Sequence, residues 1–286
     1  MIDQNWLDKC LATESSSSSI SVDETLINYK TWGNPSNPII FLVHGYSANS
    51  NWWDFIAPHF CDNYYVVAID LSGMGDSDHR DSYSQELYSK EILSLCDELG
   101  LETINLVAHS MGGPISLNFS DQYKNRVNSL ILIDSIVVMP PNKIGSSRRG
   151  SMVRHDVVYD SMEEAIKSFR LIPPQPCKNQ ILVDHIAKHS YKETDGGYIL
   201  KSDGKIMRTY THKDLTDPLM NSSYPIYLVY GLMSQIFNQE ILDFTSYVGN
   251  IPEERIVSIP GGMHHLFIDE PIIFIEKLKD ILDQEK

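Results

Sequence analysis

The 286-residue chain predicts an α/β fold with a mostly parallel central sheet and helices on both faces. Three observations carry this. Short unbroken apolar runs such as "PIIFLVHG", "YYVVAID" and "INLVAH" read as strands buried on both faces. Amphipathic stretches of helical spacing alternate with them, the rhythm that a parallel sheet requires. Between "INLVAH" and "GGPISLNFSDQY" the chain passes abruptly from strand to helix through a single serine, Ser110.

Taken in order, "SSSSSISVDETLINYKTWG" alternates polar residues with Ile20 and Val22, turns at Asp23-Glu24 and resumes from Leu26 to Thr31. It predicts an N-terminal hairpin whose serines form an exposed edge strand or its approach. "PIIFLVHG" and "YYVVAID" follow as buried strands, the second leading into the glycine-punctuated loop "LSGMGDSD". In "SQELYSKEILSLCDELG", Leu87, Ile92, Leu93, Cys96 and Leu99 recur at helical spacing, and Gly100 stands where a C-cap belongs. "INLVAH" (strand), "GGPISLNFSDQY" (helix) and "SLILID" (strand) continue the alternation. "PIYLVYG" (strand), "NQEILDFTSYV" (helix), "RIVSIPG" (strand) and "PIIFIEKLKDILDQ" (helix) finish it.

Between Val138 and Asp217 the rhythm breaks. This stretch holds "SMEEAIKSF" with a Ser161/Glu164 capping box, a proline-rich "LIPPQPC", a helix around Ile181 to His189 and a hairpin-like "TDGGYILKSDGK". So long an insertion between two sheet strands is more than a connector. It predicts a mostly helical cap, residues 138–217, over the carboxyl ends of the strands, set between core segments 1–137 and 218–286. Arg148 and Arg149 in its first loop could meet an anionic substrate or simply be solvated.

Composition narrows the function classes. A formal net charge of −15 opposes nucleic acid or anionic membrane as a partner. No apolar run approaches the roughly 18 residues of a membrane span. The N-terminus lacks the basic and apolar regions of a signal peptide. The four cysteines, Cys10, Cys61, Cys96 and Cys177, form no Cys-x-x-Cys pair, so free thiols in a reducing cytoplasm are expected. The histidines show no metal-ligand spacing, and no cofactor is expected.

A serine hydroxyl attacks carbonyls only when a base takes its proton and donors await the oxyanion. In "VAHSMGG" the residues two before and two after Ser110 are Ala108 and Gly112, small as a strained strand-to-helix corner demands. The Met111 N–H, at the helix start, would face the attacked carbonyl; the N–H of Tyr46, after "HG", would supply the second donor. "SIPGGMHHLFIDEP" places a histidine pair in a loop after the last strand, where a base could reach Ser110.

With these residues the chain resembles the α/β-hydrolase fold superfamily, in its serine-hydrolase form with a cap. "HG" after a strand, "D-x-x-G-x-G-x-S" from Asp70 to Ser77, the serine elbow and the terminal histidine loop occur in the family's order over nearly the whole chain. The resemblance implies His264 as the base, counted back from Pro271, with His265 as fallback. It also implies an acid after "PIYLVYG", but the chain reads "GLMSQIFN" there, and Ser234 and Gln235 are neutral. Some relatives, including a branch of the haloalkane dehalogenases, carry the acid after the strand that corresponds to "SLILID". That points to Asp134, whose other reading is a turn-forming aspartate.

Other residues have plainer readings. His109 and His44 are expected to pack or brace loops, and Asp70, Gly73, Gly75 and Ser77 to shape a structural loop. Trp52, Trp53 and Phe55 could line an acyl pocket or pack the core. Dehalogenases and epoxide hydrolases of this fold use an aspartate nucleophile, whereas Ser110 implies acyl chemistry. The expected activity is cleavage of a small or medium carboxylic ester by Ser110, His264 and Asp134. Two alternatives stand beside it: a carbon–carbon bond hydrolase, and a ligand-binding receptor on a hydrolase scaffold, which neutral residues at 234 and 235 would favour.

Overall fold

The computed structural model describes residues 1–143 and 155–285. It opens with helix α1 (Gln4–Leu11), capped by the Asp3 side chain on the Trp6 N–H at 2.9 Å. The sequence reading has no element there. Only Leu7 and Cys10 of this helix are buried, too short a stripe to register as periodicity. The hairpin follows as β1 (Ser15–Val22) and β2 (Thr25–Trp32). Its two turn residues, Asp23 and Glu24, both take positive φ (48° and 63°), the handedness that matches the strand twist.

β3 (Ile39–Val43), β4 (Tyr65–Ile69), α2 (Gln85–Glu98), β5 (Ile104–His109), α3 (Gly112–Gln122) and β6 (Val127–Ile133) come next. Gly100, one residue beyond the α2 cap Leu99, takes φ 65°, so glycine ends this helix as expected. Between β6 and the next sheet strand lie α4 (Met162–Ser168), α5 (Gln180–Ser190), the hairpin β7 (Tyr191–Thr194) and β8 (Gly197–Leu200), α6 (Ile206–Thr209) and α7 (Thr216–Met220). The chain ends with β9 (Ile226–Gly231), α8 (Gln239–Val248), β10 (Ile256–Ile259), α9 (Leu266–Asp269) and α10 (Pro271–Gln284). Arg148 and Arg149 lie outside the described residues.

The sheet has eight strands in the order β1-β2-β4-β3-β5-β6-β9-β10. β2 pairs antiparallel with β1 and β4, and every other neighbouring pair is parallel. Alternation divides each buried strand between two apolar layers. Ile40 and Leu42 of β3 face a layer shared with α1 and α10, while Ile39, Phe41 and Val43 face one shared with α2, α3 and α8. With both faces covered, the open positions of the sheet are its strand ends. Ser110, Asp134 and His264 follow the carboxyl ends of β5, β6 and β10, where α/β sheets place their ligands.

The stretch between β6 and β9 is fastened to loops at that same end. Ser202 meets Ser47 at 2.8 Å, the Asp203 N–H donates to the Gly73 carbonyl at 2.7 Å, and His185 bonds Asp54 at 2.9 Å. Among the described residues no helix is long and apolar enough to cross a membrane.

Candidate active site

Ser110 occupies the corner between β5 and α3 with φ 53°, the left-handed region that side chains rarely adopt. The corner holds because chain packs tightly on all sides. A Cβ on Gly112 would stand 2.7 Å from the His44 carbonyl oxygen and 2.8 Å from that of Val43, and one on Gly113 would meet the Ser135 side chain at 2.4 Å. The Ser135 hydroxyl donates to the Ser110 carbonyl at 2.9 Å, and the Ser110 N–H bonds Ile133 at 3.1 Å. Gly112→Ala must therefore push β3 away from the corner. The expected cost is about 1–3 kcal/mol, seen as a lower denaturation midpoint with activity falling in parallel.

His264 reaches this corner from the loop after β10. Its Nε2 lies 2.9 Å from the Ser110 hydroxyl and its Nδ1 2.7 Å from Asp134 Oδ1. A carboxylate only accepts, so Nδ1 carries the proton and Nε2 presents its lone pair to the serine O–H. His264 and Asp134 are buried, whereas Ser110 is partly exposed. Asp134 also takes positive φ, 45°. Burial pushes its carboxyl up to about 7, against the downward pull of the Ser234 hydroxyl and the Gly231 N–H. These donate at 2.7 Å and 3.2 Å.

The neutral residues after β9 thus have a place. Ser234 serves Asp134 rather than replacing it, while its own oxygen accepts the N–H groups of Ile236 and Phe237 at 3.2 Å each. Sequence reasoning missed this bond, which joins residues on two separate strand ends. His265, the fallback base, turns away: its ring packs 5.4 Å from Trp52 and 5.3 Å from His109. His109 is buried as expected, and its Nε2 donates to the His264 carbonyl at 3.0 Å. Burial and the neighbouring His264 hold its pKa well below the usual histidine value, so it stays neutral.

The loop after β3 closes the other side. A Cβ on Gly45 would lie 3.0 Å from the Ser110 Cβ, so the backbone leading to Tyr46 passes directly beside the serine. His44 accepts the Leu71 N–H at 3.1 Å on Nε2 and donates from Nδ1 to the Gly45 carbonyl at 2.7 Å, which braces the loop. Met111 caps the start of α3, directly after the serine. Asp70 accepts from Ser50, Asn28 and Asp76, and a Cβ on Gly75 would fall 2.3 Å from its carboxyl; that loop is architecture. Trp53 is fully buried and stacks on Phe267 at 4.9 Å, and Phe55 is likewise in the core. Trp52 is buried against His265. Packing is therefore what these three aromatics do in this structure.

Two groups of described residues carry metal-ligand atoms close together: His109, His264 and His265, and Asp54, His185 and His189. In the first, His264 is engaged by Ser110 and Asp134. In the second, the Asp54 carboxylate accepts from Lys30, Asn51 and His185. A metal at either place would have to displace those bonds. The four cysteines are free thiols in the structure.

A serine, a histidine and a carboxylate thus gather at the carboxyl ends of parallel strands in a mostly parallel sheet. Residues 38–155 match the family model described as the alpha/beta hydrolase fold, in keeping with the sheet order and the helices on both of its faces. It is 24% identical over 190 residues to a serine hydrolase-like protein of Danio rerio, covering 62% of this chain and 58% of that protein. It is 30% identical over 132 residues to epoxide hydrolase 3 of Xenopus tropicalis, covering 42% of this chain and 36% of that one. The chain thus spans well under the full length of either. An esterase of Mycobacterium tuberculosis superposes with a TM-score of 0.77 at 20% identity, over 98% of this chain and 95% of that one, a likeness in fold.

Proposed function

We propose that the protein is a serine hydrolase that cleaves small or medium carboxylic esters through an acyl-enzyme on Ser110. The observation that carries this reading is the unbroken path from Ser110 Oγ through His264 to Asp134, at 2.9 Å and 2.7 Å. His264 takes the hydroxyl proton as Ser110 attacks the carbonyl carbon, and the N–H groups of Tyr46 and Met111 receive the oxyanion. The protonated imidazole, held by Asp134, gives that proton to the departing alkoxide. Water, deprotonated by the same imidazole, then opens the acyl-enzyme and releases the acid. A serine that opened an epoxide would form an ether with no carbonyl for water to attack, so the resemblance to epoxide hydrolase 3 does not extend to its reaction. Residues 138–217 act as the cap, a reading supported by the bonds of Ser202 to Ser47 and of Gln175 to the His265 N–H. Asp134 supplies the carboxylate absent after β9, and with it the case for an inactive receptor weakens.

The test is p-nitrophenol release from p-nitrophenyl acetate and butyrate, with intact-mass detection of an acylated Ser110. Steady Ser110-dependent turnover supports the reading, and no turnover of either ester, without an adduct, overturns it. The pH profile has a defined sign. Catalysis needs Asp134 charged and His264 neutral, and both conditions fail on acidification. kcat/KM is therefore expected to rise with pH through about 7, with an apparent pKa that belongs to the pair.

A further inference from the structure

The geometry points to Gln175, a residue of the stretch between α4 and α5, as a positioning residue for His264. The inference rests on the reading of His264 as the base. It goes beyond that reading by assigning a role to the cap in holding the base.

His264 lies in a loop between β10 and α9, where no strand ladder or helix fixes the backbone. Three side chains do so instead, one for each of three consecutive residues. Asp269 Oδ2 accepts the Met263 N–H at 2.8 Å, His109 Nε2 donates to the His264 carbonyl at 3.0 Å, and Gln175 Oε1 accepts the His265 N–H at 3.1 Å. Two of these holders are themselves joined, since Gln175 Nε2 donates to both Asp269 oxygens at 3.0 Å and 2.9 Å. Gln175 and Asp269 thus form one unit that grips the residues before and after the base. The amide orientation follows from chemistry: its oxygen must face the N–H and its nitrogen the carboxylate.

The grip is anchored on both sides. Asn179, four residues on, donates to the carbonyls of Ile268 and Asp269 at 2.8 Å and 3.0 Å, and Lys178 pairs with Glu270. Asp269 is buried, which raises its carboxyl pKa, with the Met263 N–H and the Gln175 amide pulling the other way. Glu270 adds to the rise and Lys178 opposes it. Removing the Gln175 amide leaves the His265 N–H without its acceptor and Asp269 without two of its hydrogen bonds, both from the one amide nitrogen. Catalytic geometry tolerates little displacement, as about 1 Å can cost on the order of a hundredfold. Gln175→Ala is expected to lower kcat about tenfold to a hundredfold, with KM changed by less.

Gln175→Glu separates positioning from mere packing. Its side chain has the same reach, but at high pH it sets a second carboxylate against Asp269. Like charges so close share one proton, so at low pH the protonated acid can still donate to Asp269 and accept from His265. The ratio of variant to wild-type kcat should therefore fall as pH rises.

The experiment measures kcat and KM on p-nitrophenyl butyrate for wild type, Gln175→Ala and Gln175→Glu across pH. It adds the downfield proton NMR resonance of the His264 Nδ1–H, identified by its loss in Asp134→Asn. A kcat-weighted loss, a pH-dependent ratio for the Glu variant and a shifted or broadened resonance support the inference. Wild-type kcat and an unmoved resonance in Gln175→Ala overturn it. If the Ala variant fails to fold, the Glu variant decides, and a pH-independent ratio overturns the inference. If wild type turns over no ester, the ester reading fails by itself and the resonance in the Gln175 variants still decides this one.

Discussion

Ser110→Ala is expected to abolish ester turnover, with a loss on the order of 10⁶ in kcat, because the remaining members of such a set act only through the nucleophile. Among the described residues the hydroxyl bonds His264, so its deletion removes the bond-forming atom and leaves the backbone hydrogen bonds of the corner in place. Alanine inherits the same backbone strain at φ 53°. The denaturation midpoint should therefore stay near that of wild type while p-nitrophenol release disappears and no acyl adduct is seen by intact mass. Residual rate above the uncatalysed reaction would come from the oxyanion donors alone. Substantial retained turnover would mean that another residue attacks the carbonyl.

Asp134→Asn is expected to lower kcat on the order of 10⁴ by reversing the imidazole tautomer. An amide nitrogen placed toward His264 turns Nδ1 into an acceptor and puts the proton on Nε2, facing Ser110. The base then has no lone pair for the serine. Stability should move in the opposite sense. The Asp134 carboxyl is raised from 3.8 to about 7 by burial, so the folded state resists the charge. Whatever stability that resistance costs is absent below the unfolded pKa of 3.8, builds as pH rises from there, and is complete once pH passes about 7. Asparagine never charges, so the melting temperature of wild type should fall relative to the variant's between about pH 4 and 7 and stay level above that. The measurement is paired, turnover and melting temperature from pH 4 to 9; full activity in Asp134→Asn would send the search to other carboxylates.

Most of the sheet was legible because its strands are buried on both faces and show as unbroken apolar runs, as in "FLV" of β3 and "VVAI" of β4. Ser110 was legible for a different reason: its corner admits only small neighbours, and Gly112 and Gly113 meet backbone and Ser135 where a Cβ would go. Asp134 emerged from the missing carboxylate after β9. What stayed hidden is long-range. Ser234 meets Asp134 across 100 residues, and Gln175 meets His265 across 90, with no periodicity to announce either contact. α1 was missed since it rests on two buried residues and on Trp6 stacked over His59. The stretch between β6 and β9 was read as mostly helical with a hairpin, and the described residues form four helices and that hairpin.

The serine-rich strand β1 has a consequence for how copies of this chain meet. It lies at the margin of the sheet, paired only with β2, and Ser15 to Ser19 are all exposed. A neighbouring molecule that added a strand there would satisfy backbone groups already hydrated, and would cover hydroxyls instead of hydrocarbon. Exposed margins of this kind are where sheets recruit one another into aggregates, and polar side chains on them remove the gain. The run of five serines, featureless as a catalytic signal, gives the sheet a margin that water can finish.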